Sequence, residues 1–163
     1  MEVQPKVLIA DDETVIRLDL REMLERAGFD VCAEARDGVE AVDLAREHAP
    51  DLAVLDVKMP RLDGIEAARR IFAERPIPIV MLTAYGYGEL VSRAVDAGVC
   101  AYLVKPFREN DLLLAVQRSL DRHRDRSAVD VDLRAAGGAT SWPLTLLRRP
   151  DGRVEVTLRE DAG

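Results

Sequence analysis

Three aspartates, a threonine and a lysine stand at the ends of short apolar runs. Asp11 and Asp12 follow Lys6–Ala10, Asp56 ends Leu52–Asp56, Thr83 ends Ile77–Thr83, and Lys105 follows Ala101–Val104. Crowded carboxylates repel one another and raise each other's pKa; a bound divalent cation relieves that repulsion. Ligation by oxygen alone, from a few carboxylates with water completing the shell, suits Mg²⁺. A carboxylate beside such an ion can act as a nucleophile toward phosphorus. Phosphoryl transfer then needs neutralised oxygens more than covalent help. Lys105 is a compact cation for one phosphoryl oxygen, and the Thr83 hydroxyl can donate to another. Singly, these residues have blander uses. Asp11 or Asp12 could cap the helix that follows, Asp56 could be a turn residue, and Lys105 a surface lysine.

The constellation forms only if the chain brings those run ends together. Five runs, Lys6–Ala10, Val31–Ala35, Leu52–Asp56, Ile77–Thr83 and Ala101–Val104, are rich in Val, Ile and Leu and mostly do not alternate. Strands covered on both faces look like this. Between them the apolar residues take helical spacing: Ile16, Leu20, Met23, Leu24 and Ala27, then Val39, Val42, Ala45 and Ala49. Leu113, Val116 and Leu120 line a last helix running to about Arg126. Gly28 follows the first helix, Asp37-Gly38 opens the second, Pro50 precedes the third strand and Gly98 closes the fourth helix. The expectation is an α/β fold, (βα)5 and doubly wound, with a parallel sheet in the flavodoxin-like order 2-1-3-4-5. In that order strands 1, 3, 4 and 5 are consecutive, and a site lies outside their carboxyl ends.

The same order makes strands 2 and 5 opposite edges, roughly 19 Å apart at ~4.8 Å per strand. Cys32 and Cys100 therefore cannot form an intrachain disulfide, which needs Cα atoms within ~7 Å. Their spacing fits no metal motif, so both read as small core residues.

The 163 residues divide, on this reading, into a domain over 1–126, a linker over 127–141 and a tail over 142–163. In the tail, Leu144–Arg148 and Arg153–Leu158 predict a β-hairpin turned by Arg149-Pro150-Asp151-Gly152. An isolated hairpin is marginal in water, so its apolar face and Trp142 need a surface, either the domain's flank or a second protomer in a homodimer. Apolar content of 48% and charged content of 33% are those of a globular protein. The net charge of −7 argues against non-specific RNA or DNA binding. Neither a signal peptide nor an apolar run of membrane-spanning length is evident, so the expected location is cytoplasmic.

Four stretches resemble the receiver domains of two-component response regulators. They are Val7-Leu8-Ile9-Ala10-Asp11-Asp12-Glu13, Leu55-Asp56-Val57-Lys58-Met59-Pro60-Arg61-Leu62-Asp63-Gly64, Val80-Met81-Leu82-Thr83-Ala84 and Tyr102-Leu103-Val104-Lys105-Pro106-Phe107. The similarity spans about residues 5–124. It implies that Asp56 is the phosphoacceptor. It also implies that Asp12, Asp56 and the backbone carbonyl of Lys58 ligate Mg²⁺, with Asp11 acting through metal-bound water. Thr83 and Lys105 match the phosphoryl contacts. Tyr102 matches the switch aromatic that turns inward as Thr83 moves, and the bond before Pro106 matches one that is usually cis. Lys58 and Tyr85 match positions that tune phosphoryl lifetime. Partners implied are a sensor histidine kinase or phosphotransfer protein and a downstream protein. The downstream protein would bind at the face of the fourth helix, fifth strand and fifth helix, about residues 88–118.

Arg17-Leu18-Asp19-Leu20, Asp56-Val57-Lys58-Met59-Pro60 and Ala101-Tyr102-Leu103-Val104-Lys105-Pro106-Phe107 further resemble antitermination-type regulators. Their helical RNA-binding module needs more than the 37 residues after Arg126, and Gly137-Gly138, Pro143 and Pro150 break a helical bundle. RNA-binding output is therefore not expected. The reading is a signalling switch and not an enzyme. The alternative is an aspartate-nucleophile phosphohydrolase of the dehalogenase type, which would place Asp-x-Asp after its first strand, where this chain has Asp11-Asp12-Glu13. A flavin-binding domain of the same topology would want a Ser-, Thr- and Gly-rich loop there, and an acidic one repels its phosphate.

Overall fold

The computed structural model describes residues 3–84, 99 and 101–121, and the backbone alone of 122–124, 132–134, 141–142, 144–148 and 154–158. The elements alternate as β1 (Lys6–Ala10), α1 (Thr14–Arg26), β2 (Asp30–Ala35), α2 (Gly38–His48), β3 (Leu52–Asp56), α3 (Gly64–Glu74), β4 (Ile79–Thr83), β5 (Ala101–Val104) and α4 (Glu109–Arg124). Here α4 is the fifth helix of the sequence reading. The fourth predicted helix falls on residues between β4 and β5 that lie outside the described ones.

The five strands are parallel and ordered β2-β1-β3-β4-β5. Strand side chains alternate between faces. Leu8, Ala53, Leu55, Met81 and Tyr102 pack with Val42 of α2 and Ile65 and Ile71 of α3. Val7, Ile9, Val54, Leu82 and Leu103 pack with Leu20 and Leu24 of α1 and Leu112 and Val116 of α4. Both faces are covered, so the strands read as unbroken apolar runs rather than as alternating ones.

Details differ from the sequence reading for local reasons. The fourth strand begins at Ile79, not Ile77, because Pro78 has no N–H to give a ladder; its carbonyl accepts from Ala53 N–H at 3.1 Å. Val39, expected on the buried stripe of α2, is 38% exposed, while Val42 and Ala45 are buried as expected and Gly38 and Ala41 join them. Gly38 takes the centre of that stripe, and Val39 lies ~100° round the helix from it.

β5 is not an edge. β6 (Asp132–Arg134) pairs parallel with it, Tyr102 opposite Leu133, and β7 (Ser141–Trp142) pairs antiparallel with β6. β6 lies inside the 127–141 stretch read as a linker. A bare edge strand leaves N–H and C=O groups unpaired, and α4 supplies the crossover that a parallel neighbour requires. The alternation Val129-Asp130-Val131-Asp132-Leu133 was the overlooked period-2 signal. β8 (Leu144–Arg148) and β9 (Val154–Leu158) pair antiparallel, with Thr145 opposite Thr157; residues 149–153 between them lie outside the described ones. Three strands, β1, β3 and β4, separate Cys32 on β2 from β5. Cys100 itself is outside the described residues.

Candidate functional site

β1 delivers Asp11 into the protein rather than onto its surface. Asp11 is fully buried. Its N–H donates to Ala35 carbonyl at 3.1 Å. Its Oδ1 accepts from Glu13 N–H at 2.9 Å, and its Oδ2 from Lys105 Nζ at 2.8 Å. Asp12, one residue on, is exposed and makes no hydrogen bond or ion pair among the described residues. Neither caps α1: the N-cap position is Glu13, and no side chain accepts there. Both oxygens of Asp11 already accept hydrogen bonds within the protein. The sequence reading overlooked Arg17, whose Nη1 donates to the Asp11 carbonyl at 2.7 Å; its place one turn into α1 was the available clue.

Asp56 closes β3 at 6% exposure. The loop after it is anchored by Val57 N–H to Leu82 carbonyl at 2.9 Å and Gly64 N–H to Val57 carbonyl at 2.8 Å. Asp63 then caps α3, accepting from Glu66 N–H at 2.8 Å. Gly64 has to be glycine, since a Cβ there would stand 1.9 Å from the Asp56 carbonyl oxygen. Thr83 is buried at the end of β4, and its carbonyl accepts from Lys105 N–H at 2.6 Å. The Lys105–Pro106 bond is cis.

The topology thus gathers Asp11, Asp12 and Asp56, with one carboxylate oxygen from each lying within 4.8 Å of the others. Lys105 Nζ also reaches Asp56 Oδ1 at 3.4 Å. Burial pushes the Asp56 carboxyl up to about 6, with Asp11 and Asp12 adding to the rise and Lys105 opposing it. Burial works against the Lys105 charge, but its bond to Asp11 and the field of Asp56 outweigh that and raise its pKa. One lysine faces three carboxylates, so the donor set is short of positive charge and made of oxygen, which fits a hard divalent cation such as Mg²⁺. The cleft holds about 280 Å³ and is lined by Asp12, Glu13, Asp56, Val57, Lys58, Thr83, Ala84 and Lys105. At ~30 Å³ per water, that accommodates a phosphoryl group beside a hydrated ion.

Tyr102 is fully buried, and its hydroxyl has no hydrogen-bond partner among the described residues. Burial raises the phenol pKa, and the nearby Thr83 hydroxyl offsets part of the rise without bonding geometry. Tyr85 lies outside the described residues.

The different exposures of Asp11 and Asp12 lead to a measurable contrast. If Asp12 ligates directly and Asp11 through water, as the resemblance implies, Asp12→Asn is expected to weaken Mg²⁺ binding more than Asp11→Asn, since loss of a partner in the outer sphere costs roughly 10-fold and loss of a direct ligand more. Calorimetric Mg²⁺ titration of both variants checks it, and a larger loss for Asp11→Asn would exchange their roles.

The sequence model of the response regulator receiver domain family matches residues 7–117. The chain is 52% identical over 128 residues to the transcriptional regulatory protein PdtaR of Mycobacterium tuberculosis, covering 78% of this chain and 62% of that protein. It is 37% identical over 117 residues to the chemotaxis protein CheY of Bacillus subtilis, covering 71% of this chain and 98% of that one. The structure superposes on one described as the CheX-CheY-BeF3-Mg+2 complex from Borrelia burgdorferi, with TM-score 0.67 and 30% identity over 69% of this chain and 87% of that one. The chain therefore spans less than two thirds of the PdtaR length but nearly all of a CheY. Among the described residues no helix is long and apolar enough to cross a membrane. With strand-end carboxylates, threonine and lysine converging in this sheet order, the chain belongs to the response regulator receiver domain family.

Proposed function

We propose that Asp56 is the phosphoacceptor and that a Mg²⁺ held by Asp12, Asp56 and the Lys58 carbonyl, with Asp11 behind a water, accompanies the transfer. The observation that carries this is the buried Asp56 carboxylate facing the cleft with Lys105 Nζ 3.4 Å away. An Asp56 oxygen forms a bond to phosphorus as the phosphorus–nitrogen bond of a kinase or phosphotransfer phosphohistidine breaks. The imidazole nitrogen leaves with that electron pair and takes up a proton. The bound cation would supply charge neutralisation of the phosphoryl oxygens. Lys105 neutralises one oxygen and the Thr83 hydroxyl donates to another. The module is proposed to signal rather than to turn over a substrate. Incubation with a small acyl phosphate and Mg²⁺ should add one phosphoryl group to a peptide containing Asp56. Absence of label, label on another peptide, or sustained hydrolysis of phosphate monoesters overturns the reading.

Output follows as a shift between two conformations whose partner affinities differ, on the face that includes β5 and α4. Tyr102 is the proposed coupling residue, as its buried hydroxyl has no partner among the described residues and sits beside Thr83. Tyr102→Ala should leave phosphoryl uptake within about twofold but erase the difference in association between phosphorylated and free protein, which a 1–3 kcal/mol coupling would set at 5–150-fold. Size-exclusion with light scattering, with and without phosphodonor, reads both partner binding and the tail-mediated self-association that belongs to the same proposal. An unchanged difference in the variant removes Tyr102 from the switch.

A further inference from the structure

The loop from Asp56 to α3 carries Lys58, and something outside the loop holds it still. Two contacts reach it from the N-terminus of α2, one at Leu62 and one at Arg61. A Cβ on Gly38 would lie 2.1 Å from the Leu62 carbonyl oxygen and 2.7 Å from both the carbonyl carbon and Cβ of Leu62. Two of those three atoms are backbone, so no side-chain rotation relieves the overlap and the loop itself would have to move. Asp37, nearly buried, uses Oδ1 to accept from Glu40 N–H at 2.8 Å and so caps α2, while its Oδ2 faces Arg61 Nη1 at 3.7 Å. Arg61 stands at φ 68°, a left-handed conformation that costs a non-glycine residue energy and persists only where the surroundings enforce it.

Inside the loop, Leu62 N–H donates to Pro60 carbonyl at 2.8 Å and Gly64 N–H to Val57 carbonyl at 2.8 Å. Residues 57–64 are thereby a short, internally tied unit with little slack. A push at Leu62 reaches Lys58 because Val57 and Gly64 pin both ends.

We propose that Asp37 and Gly38 are positioning residues for the cation site: the start of α2 abuts the loop at Leu62 and Arg61 and thereby fixes where the Lys58 carbonyl stands. This rests on the metal centre proposed above, and it assigns a role to a segment that touches neither metal nor phosphoryl group. Its consequence is ion selectivity. Mg²⁺ demands near-ideal octahedral geometry, whereas Ca²⁺ accepts irregular shells of variable number. A displaced carbonyl therefore penalises Mg²⁺ far more than Ca²⁺. Simple destabilisation of the fold would penalise both ions alike.

Mg²⁺ and Ca²⁺ titrations of the full chain by calorimetry, with binding-site amide shifts followed by NMR, separate these cases. Gly38→Ala is expected to raise the Mg²⁺ dissociation constant roughly tenfold while moving that for Ca²⁺ less than about threefold. Val39→Ala, next door but exposed, should change neither. Should Gly38→Ala fail to fold, Asp37→Ser carries the test. It keeps a cap for Glu40 N–H, removes the oxygen facing Arg61, and should shift selectivity the same way by about threefold. Equal losses for both ions, or an unchanged Mg²⁺ constant, overturn the assignment and leave the metal centre standing. A parent chain that binds neither ion removes both.

Discussion

Asp56→Asn is expected to abolish phosphoryl uptake and, at the same time, to stabilise the metal-free protein at neutral pH. The first effect follows because an amide is no nucleophile toward phosphorus and Asp11 is already engaged with Glu13 and Lys105. The second follows from linkage. The Asp56 pKa is 3.8 unperturbed and about 6 in the fold. A carboxyl whose pKa is raised by folding favours the native state below about pH 4, and that contribution disappears as pH rises through about 6. At 1.36 kcal/mol per unit, the ionised group costs on the order of 3 kcal/mol at pH 7. Asn is neutral throughout, so the variant should gain roughly 1–3 kcal/mol and lose the parent's decline between pH 4 and 6. Denaturant unfolding from pH 4 to 8 in chelator reads it. Added Mg²⁺ should stabilise the parent and do much less for the variant, because binding to the native state alone adds stability by mass action. A variant less stable than the parent at pH 7 in chelator would show that burial does not strain Asp56.

Lys105→Met should have the opposite sign and a comparable or larger size. It keeps an unbranched apolar stem and removes the charge paired with Asp11 at 2.8 Å and Asp56 at 3.4 Å. Asp11 is wholly enclosed, and stripping the partner from a buried ion pair typically costs 3–5 kcal/mol. The metal-free variant is therefore expected to melt far below the parent, with its stability falling more steeply above pH 4 as Asp56 ionises without Lys105 to oppose its rise. Mg²⁺ should restore much of the loss, since a divalent cation can stand in for the missing charge. Phosphoryl uptake should fall even when the fold is restored, because one oxygen of the transferring group loses its counter-charge. Thermal melts with and without Mg²⁺, paired with labelling rates, separate the two effects. Equal melting of variant and parent in chelator would mean that water, not Lys105, screens these carboxylates.

The two variants act on one pair of aspartates with opposite outcomes, and that opposition was not legible in the run ends. The residue types were: Asp11, Asp12, Asp56, Thr83 and Lys105 each follow or end an apolar run, and the punctuation by Gly28, Asp37-Gly38 and Pro50 was enough to order them. Period and turn chemistry are local properties, and a parallel βαβ chain has few topologies open to it, so the 2-1-3-4-5 order followed from them. Local chemistry could not say that Asp11 would be sealed in and Asp12 left out, because adjacent residues on one loop differ only by which neighbours close over them. Nor could it say that burial, more than repulsion from Asp11, raises Asp56, that Val39 would turn outward where Gly38 abuts Leu62, or that β6 would take the free edge of β5. Each of these depends on contacts between segments far apart in sequence. The sequence by itself determined β1 to β5, their order and the five groups brought to one end of the sheet. Only the tertiary structure decided how those groups share charge, because desolvation and pairing depend on what else occupies the same few ångströms.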